Sequence, residues 1–212
     1  MNELLDKINI CVNCHSSICI NGNIYIDPYQ LKETENKAKI IFITHSHYDH
    51  LDIESLTKIV DNNTKIVCTQ DSYDILKKFG YAKKMIIIVR PNENGEIQNV
   101  FYETFSSYNV NKKFHPKENG WVGFRLTIDG IIYTICGDTD VTQELLKLQT
   151  DVLFIPIGGV YTMNAEEASE VVNKIMPKLV IPIHYNLIVG NKSDEKVFIN
   201  KLNKKIKYLI KI

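Results

Sequence analysis

Three of the chain's six histidines fall within the stretch His45-Ser46-His47-Tyr48-Asp49-His50. Three imidazoles and a carboxylate packed this closely repel one another when charged and lose hydration when buried. A bound dication removes both difficulties. Imidazole with carboxylate suits zinc, manganese or iron, and the lack of a thiolate in the stretch argues against a purely structural zinc.

One loop cannot surround a metal, so ligands are expected elsewhere, and three residues qualify. His115 stands in Phe114-His115-Pro116, Asp138 in Gly137-Asp138-Thr139 and His184 in Ile183-His184-Tyr185. Each lies in a loop beside an apolar run. Taken singly, each has an ordinary reading as a loop residue. With the first cluster they make five imidazoles and two carboxylates, enough for two metals.

The elements that must carry these residues are short apolar runs. Ile18–Ile20 and Ile24–Ile26 flank Asn21-Gly22, and Trp121–Ile128 and Ile131–Cys136 flank Asp129-Gly130. Both dipeptides tolerate positive φ and predict hairpins. Further strands are predicted at Ile40–Ile43, Ile66–Cys68, Met85–Val89, Val152–Ile157 and Leu179–Ile183, several of them apolar on both faces.

Helices are predicted between them. Asp52 is placed to cap Ile53–Val60, and Asp71 to cap Ser72–Phe79 before Gly80. Val141–Leu148 follows an acidic cluster. Asn164 with Glu167 forms a capping box for Ala165–Ile175, and Asp194–Leu202 is the last helix. In the tail, Ile206, Tyr208, Ile210 and Ile212 alternate with lysines, as on an edge strand guarded by charge. Hairpins and strand–helix units recur in both halves, which fits two helix-covered sheets better than one parallel sheet.

The 212 residues carry 25 basic and 25 acidic side chains, with 44% hydrophobic residues. That balance excludes a disordered chain, a fibre and a disulfide scaffold, and argues against a nucleic-acid binder working through a strong basic field. With no repeat or linker, one domain is expected over 1–212. No run approaches the ~20 apolar residues of a membrane span. The N-terminus, with Glu3 and Asp6, lacks a secretion signal, and five cysteines make an odd set, so a reducing cytoplasm is the expected location. Cys11 and Cys14 form a C-x-x-C without a second close pair, and all the cysteines are read as small buried hydrophobes.

His45-Ser46-His47-Tyr48-Asp49-His50 resembles the H-x-H-x-D-H signature of the metallo-β-lactamase superfamily. Gly137-Asp138-Thr139 resembles its bridging-aspartate motif, and Ile183-His184 its final histidine. The resemblance runs from about Cys14 to Tyr185. Asn13-Cys14-His15-Ser16-Ser17 and Ile24-Tyr25-Ile26-Asp27-Pro28 look like the opening of small hydrolases near the ascorbate-6-phosphate lactonase and N-acyl-phosphatidylethanolamine phospholipase D branches. The resemblance implies an α/β (α+β) fold, a four-layer αββα sandwich. It also implies that His45, His47 and His115 hold a first metal, that Asp49, His50 and His184 hold a second, and that Asp138 bridges them. Here the chain departs from many members, which place the third histidine in a Gly-His-Ser/Thr context. His15 falls outside the ligand motifs; near the start of the first sheet it could support a ligand from behind, but it is read first as a hydrogen-bonded structural histidine.

Two such ions, zinc first and manganese second, would bind one water between them and bring its pKa from 15.7 towards ~7. The resulting bridging hydroxide attacks a carbonyl or phosphoryl centre, with Asp49 as the proton acceptor. Lactones and phosphodiesters are the first bonds expected, in a small substrate. Tyr161 or Tyr185 could donate to a developing oxyanion, and Lys113 could attract an anionic group. The rival readings are a mononuclear iron dioxygenase, against which the presence of both His50 and His184 counts, an oxygen-reducing di-iron protein, against which His47 counts, and a metal-free scaffold. Oligomeric state is not legible.

Overall fold

Asn21 and Gly22 take φ of 54° and 72°, and the chain reverses there as an Asn-Gly turn predicts. The computed structural model describes residues 4–32 and 36–211. Of the residues used above, Glu3 and Ile212 lie outside the described set. The chain divides into two units, Met1–Ile88 and Val89–Ile212.

In the first unit, β1 (Ile10–Cys14), β2 (Ser17–Ile20), β3 (Ile24–Ile26), β4 (Ile40–Ile43), β5 (Lys65–Cys68) and β6 (Ile86–Ile88) form one sheet in that order. The first three pair antiparallel, and β3 through β6 pair parallel. Parallel neighbours need crossovers; α1 (Ile53–Ile59) supplies the one from β4 to β5 and α2 (Gln70–Lys78) the one from β5 to β6. Leu56, Ile59 and Leu76 of these helices join Tyr25, Ile41, Ile43, Ile66 and Cys68 in one core. The alternate residues Ile24, Ile26, Ile40, Phe42 and Val67 are buried as well, so these strands are apolar on both faces, as read from sequence.

The second unit repeats the plan. β7 (Asn94–Ile97), β8 (Val100–Ser106), β9 (Val122–Ile128) and β10 (Ile131–Ile135) pair antiparallel. From β10 the sheet continues parallel through β11 (Val152–Pro156), β12 (Leu179–Ile183) and β13 (Lys207–Tyr208). Between these run α3 (Ala165–Ile175) and α4 (Ser193–Lys201). Val171 and Val172 of α3 and Phe198 of α4 pack with Leu153, Ile155 and Val180. The two sheets with four helices give the mixed α/β fold expected.

Several expectations are corrected. Thr69, not Asp71, precedes the first residue of α2; Asp71 turns back to accept from the Thr69 hydroxyl at 2.6 Å and from Ser46 Oγ at 2.5 Å. Val141–Leu148 is not a helix but holds one 3-10 turn, Leu145–Lys147. The preceding Asp140 is engaged instead by the Val110 amide and the Lys112 ammonium. Met85 closes a 3-10 turn ahead of β6. The tail pairs as an edge strand over two residues only, with Ile206 buried and Tyr208 exposed. Cys19, Cys68 and Cys136 are buried, whereas Cys11 is exposed and Cys14 half-buried. Cys11 lies on β1, the end strand of its sheet among the described residues, with its side chain on the exposed face.

Candidate metal centre

The strands β3 and β4 lie side by side and parallel, so the residues at their carboxyl ends meet. Such ends are where open α/β sheets place ligands. Asp27 follows β3 and is fully buried. Its Oδ1 accepts from the Thr44 amide at 2.8 Å, and its Oδ2 accepts from the Thr44 hydroxyl at 2.7 Å. The same Oδ2 lies 2.7 Å from His50 Nδ1.

A carboxylate only accepts, so the hydrogen of His50 sits on Nδ1. Since the Thr44 hydroxyl gives its hydrogen to Asp27, it accepts from His45 Nδ1, 3.0 Å away. One buried carboxylate therefore leaves Nε2 of both His45 and His50 with a lone pair. His45 Nε2 stands 3.1 Å from His47 Nδ1, a separation at which two imidazole nitrogens share either a proton or a metal ion.

Asp49 and His50 are folded back by hydrogen bonds that the His50 and Leu51 amides donate to the His47 carbonyl at 3.0 and 2.8 Å. Asp49 Oδ2 then lies 3.2 Å from His15 Nε2 and 3.6 Å from His50 Nε2. His15, Asp49 and His50 each offer a ligand atom within 4.8 Å of the others. His15 is buried at positive φ, 52°, beside the irregularity in the β1–β2 register. His15 is hydrogen-bonded, but its partner is the motif aspartate, so it supports the site from behind an expected ligand rather than serving structure alone.

In the second unit, β10 and β12 flank β11 in parallel, so Asp138 and His184 leave the sheet along one edge. Gly158, which follows β11, carries the close approach: a Cβ there would meet the His184 carbonyl oxygen at 2.3 Å. Asp138 Oδ2 lies 3.0 Å from His184 Nε2 and 3.2 Å from His115 Nε2. His115 comes from the β8–β9 connection, and all three side chains are buried. One carboxylate oxygen facing two imidazole nitrogens away from water calls for a cation among them, a proton or a metal. The donor set of imidazole and carboxylate, with no sulfur, fits a zinc-type ion.

The expected substrate residues are placed less evenly. Lys113 is exposed. Tyr161 is half-buried, and its ring meets that of Phe114 edge-on at 4.6 Å. Tyr185 is different: it is fully buried in the α3–α4 core, and its hydroxyl donates to Glu195 at 2.9 Å. Burial and the Glu195 carboxylate push that phenol above its usual range, so the hydroxyl is committed to the helix. Asp27, Thr44, Asp71 and Asn109, none of them read from sequence as part of a site, all touch the histidine-bearing loops. Asp27 is signalled by its place in the opening segment Ile24-Tyr25-Ile26-Asp27-Pro28 and at a strand end, one register step from Thr44.

A family model described as a Beta-lactamase superfamily domain matches residues 11–184. The chain is 30% identical over 201 residues to the UPF0173 metal-dependent hydrolase of Nanoarchaeum equitans, covering 90% of each. It is 27% identical over 205 residues to that of Archaeoglobus fulgidus, covering 87% of this chain and 86% of the relative. A crystal structure from Parabacteroides distasonis, of a protein assigned as a metal-dependent hydrolase, superposes with a TM-score of 0.82 at 28% identity, covering 96% of this chain and 92% of that one.

Proposed function

We propose that this chain, a metal-dependent hydrolase that belongs to the metallo-β-lactamase superfamily, works with two divalent ions on a small substrate, a lactone or phosphodiester. The observation that carries this reading is the Asp138 carboxylate oxygen set 3.0 and 3.2 Å from two buried imidazole nitrogens. The ligand set is His45, His47, Asp49, His50, His115, Asp138 and His184, with zinc the first choice of ion and manganese the second. The chain acts as one hydrolase domain over 1–212. In support, the family model runs unbroken across the division between the two units. Among the described residues no helix is long and apolar enough to cross a membrane, and a cytoplasmic location is proposed.

Ions held by these residues would supply Lewis acidity and a water of lowered pKa as nucleophile. The protein's own groups supply the rest. Asp27 and Thr44 keep hydrogen on the Nδ1 atoms of His45 and His50, so that each Nε2 presents a lone pair that a metal can take. Asp49 Oδ2 receives the proton released by the nucleophile, and His15 Nε2 at 3.2 Å holds that carboxylate in place. Tyr161 donates to the charge developing on the substrate oxygen, and the exposed Lys113 draws in an anionic group.

The test is metal content per chain by mass spectrometry, on protein purified without added metal or affinity-tag histidines. It is paired with turnover of a simple lactone and of bis(p-nitrophenyl) phosphate. Close to two zinc or manganese ions per chain, with hydrolysis lost on chelation, supports the reading. One iron per chain with oxygen consumption would replace it by a mononuclear dioxygenase. No uptake on titration would leave a scaffold.

A further inference from the structure

His115, expected as the third ligand of the first metal, stands between Phe114 and Pro116, and its neighbours in sequence give no sign of how its ring is set. Asn109 does. Its Oδ1 accepts from the backbone amide of His115 at 3.0 Å, and its Nδ2 donates to the Tyr161 carbonyl at 2.8 Å. A backbone N–H can only donate and a backbone carbonyl can only accept. The orientation of the Asn109 amide is therefore fixed from both ends, without recourse to the ring.

His115 Nδ1 lies 3.1 Å from that same Oδ1. An amide oxygen offers no hydrogen, so Nδ1 carries one, and in the neutral ring Nε2 then keeps its lone pair. Nε2 is the nitrogen that faces Asp138 Oδ2. Without Asn109 the hydrogen would gain a carboxylate partner by moving to Nε2, and the lone pair would be lost to a ligand.

Asn109 is itself held firmly to the segment that carries Asp138. Ser107 Oγ donates to the Asp138 carbonyl at 3.0 Å, the Thr139 hydroxyl donates to the Tyr108 carbonyl at 3.1 Å, and the Asp140 amide donates to that carbonyl at 2.9 Å. The Asn109 amide closes the loop on the His115 carbonyl at 2.7 Å. Trp121 meets the His115 ring edge-on at 5.4 Å, which leaves the imidazole little room to turn.

We propose that Asn109 is a positioning residue that fixes His115 as an Nε2 ligand and ties the Tyr161 loop to the same point. The part concerning metal rests on the dinuclear reading above; the part concerning the tautomer does not. Two-bond proton–nitrogen correlation spectra of the metal-free protein, recorded where the ring is neutral, assign the hydrogen directly. Hydrogen on Nδ1 of His115 is expected in the wild type. Hydrogen on Nε2 there would overturn the proposal with no variant needed.

Asn109→Ala should move the hydrogen to Nε2 and weaken one metal site about 10- to 100-fold in a chelator competition. Asn109→Asp keeps an acceptor for Nδ1–H but sets a second acceptor against the Tyr161 carbonyl. It should retain the Nδ1–H tautomer and wild-type or tighter metal binding, while the Tyr161 backbone resonances shift. Two ions in the wild type with unchanged affinity in Asn109→Ala would overturn the role of Asn109 and leave the dinuclear reading standing. Fewer than two ions in the wild type would overturn the dinuclear reading, and the spectra would still decide the tautomer.

Discussion

Asp27 Oδ2 and His50 Nδ1 meet at 2.7 Å with neither side chain reached by solvent. Because the same carboxylate also accepts two hydrogens from Thr44, one residue sets the ring states of both His50 and His45. Asp27→Asn is nearly isosteric but cannot reproduce this. If its oxygen keeps the Thr44 amide, its NH2 group faces two atoms that already carry hydrogen. The variant should bind metal about 10- to 100-fold more weakly in a competition with a chelating dye. It should also lose about 1–3 kcal/mol of stability in urea unfolding. Wild-type affinity in Asp27→Asn would show that the ring states are set elsewhere.

Removing the His50 ring tests the dinuclear reading at its second ion. The His50→Ala chain retains both sheets, since His50 follows β4 and contributes nothing to strand pairing. Metal content should fall from two ions to one per chain, with most hydrolysis lost and the far-ultraviolet circular dichroism unchanged. A variant that kept two ions and full turnover would exclude His50 from the ligand set.

The five cysteines differ enough in setting to be told apart by alkylation. Burial pushes the Cys68 thiol up to about 12 and raises the Cys136 thiol as well, so neither offers thiolate at neutral pH. Cys14 is raised too, by burial and then by the Asp52 charge. Cys11 alone is exposed. Brief treatment of the native protein with a maleimide should add one label, at Cys11 by peptide mass mapping, and Cys68 and Cys136 should react only in denaturant. Early labelling of Cys68 would mean that the β4–β5–β6 core opens readily.

What the sequence disclosed follows from how rare each signal is. Histidine is scarce, so the cluster from His45 to His50 and the isolated His115 and His184 stood out. The Asn-Gly and Asp-Gly turns fixed two hairpins, and the Asn164 capping box fixed the start of α3 to the residue. Asp27 and Asn109 are common residue types whose importance comes from what folding sets beside them. The helix expected over Val141–Leu148 failed for a related reason: Asp140, its natural capping acid, is captured by Val110 and Lys112 from a distant loop. β1 was missed because its exposed face alternates Cys11 and Asn13 and gives a weak strand pattern.

The β7–β8 hairpin was also missed, and its turn offers a stability test. Gln98 and Asn99 both take positive φ, 49° and 68°, as a two-residue hairpin turn requires, yet neither is glycine. For an L-residue the left-handed region costs roughly 1–2 kcal/mol, less for asparagine and more for a β-branched side chain. Asn99→Gly should therefore be neutral or stabilising by a few tenths of a kcal/mol, and Asn99→Val should destabilise by about 1–2 kcal/mol. Thermal unfolding of the two variants side by side measures the difference. Equal melting temperatures would mean that the turn adopts another conformation in solution, and the register Ile97 to Val100 would have to be redrawn.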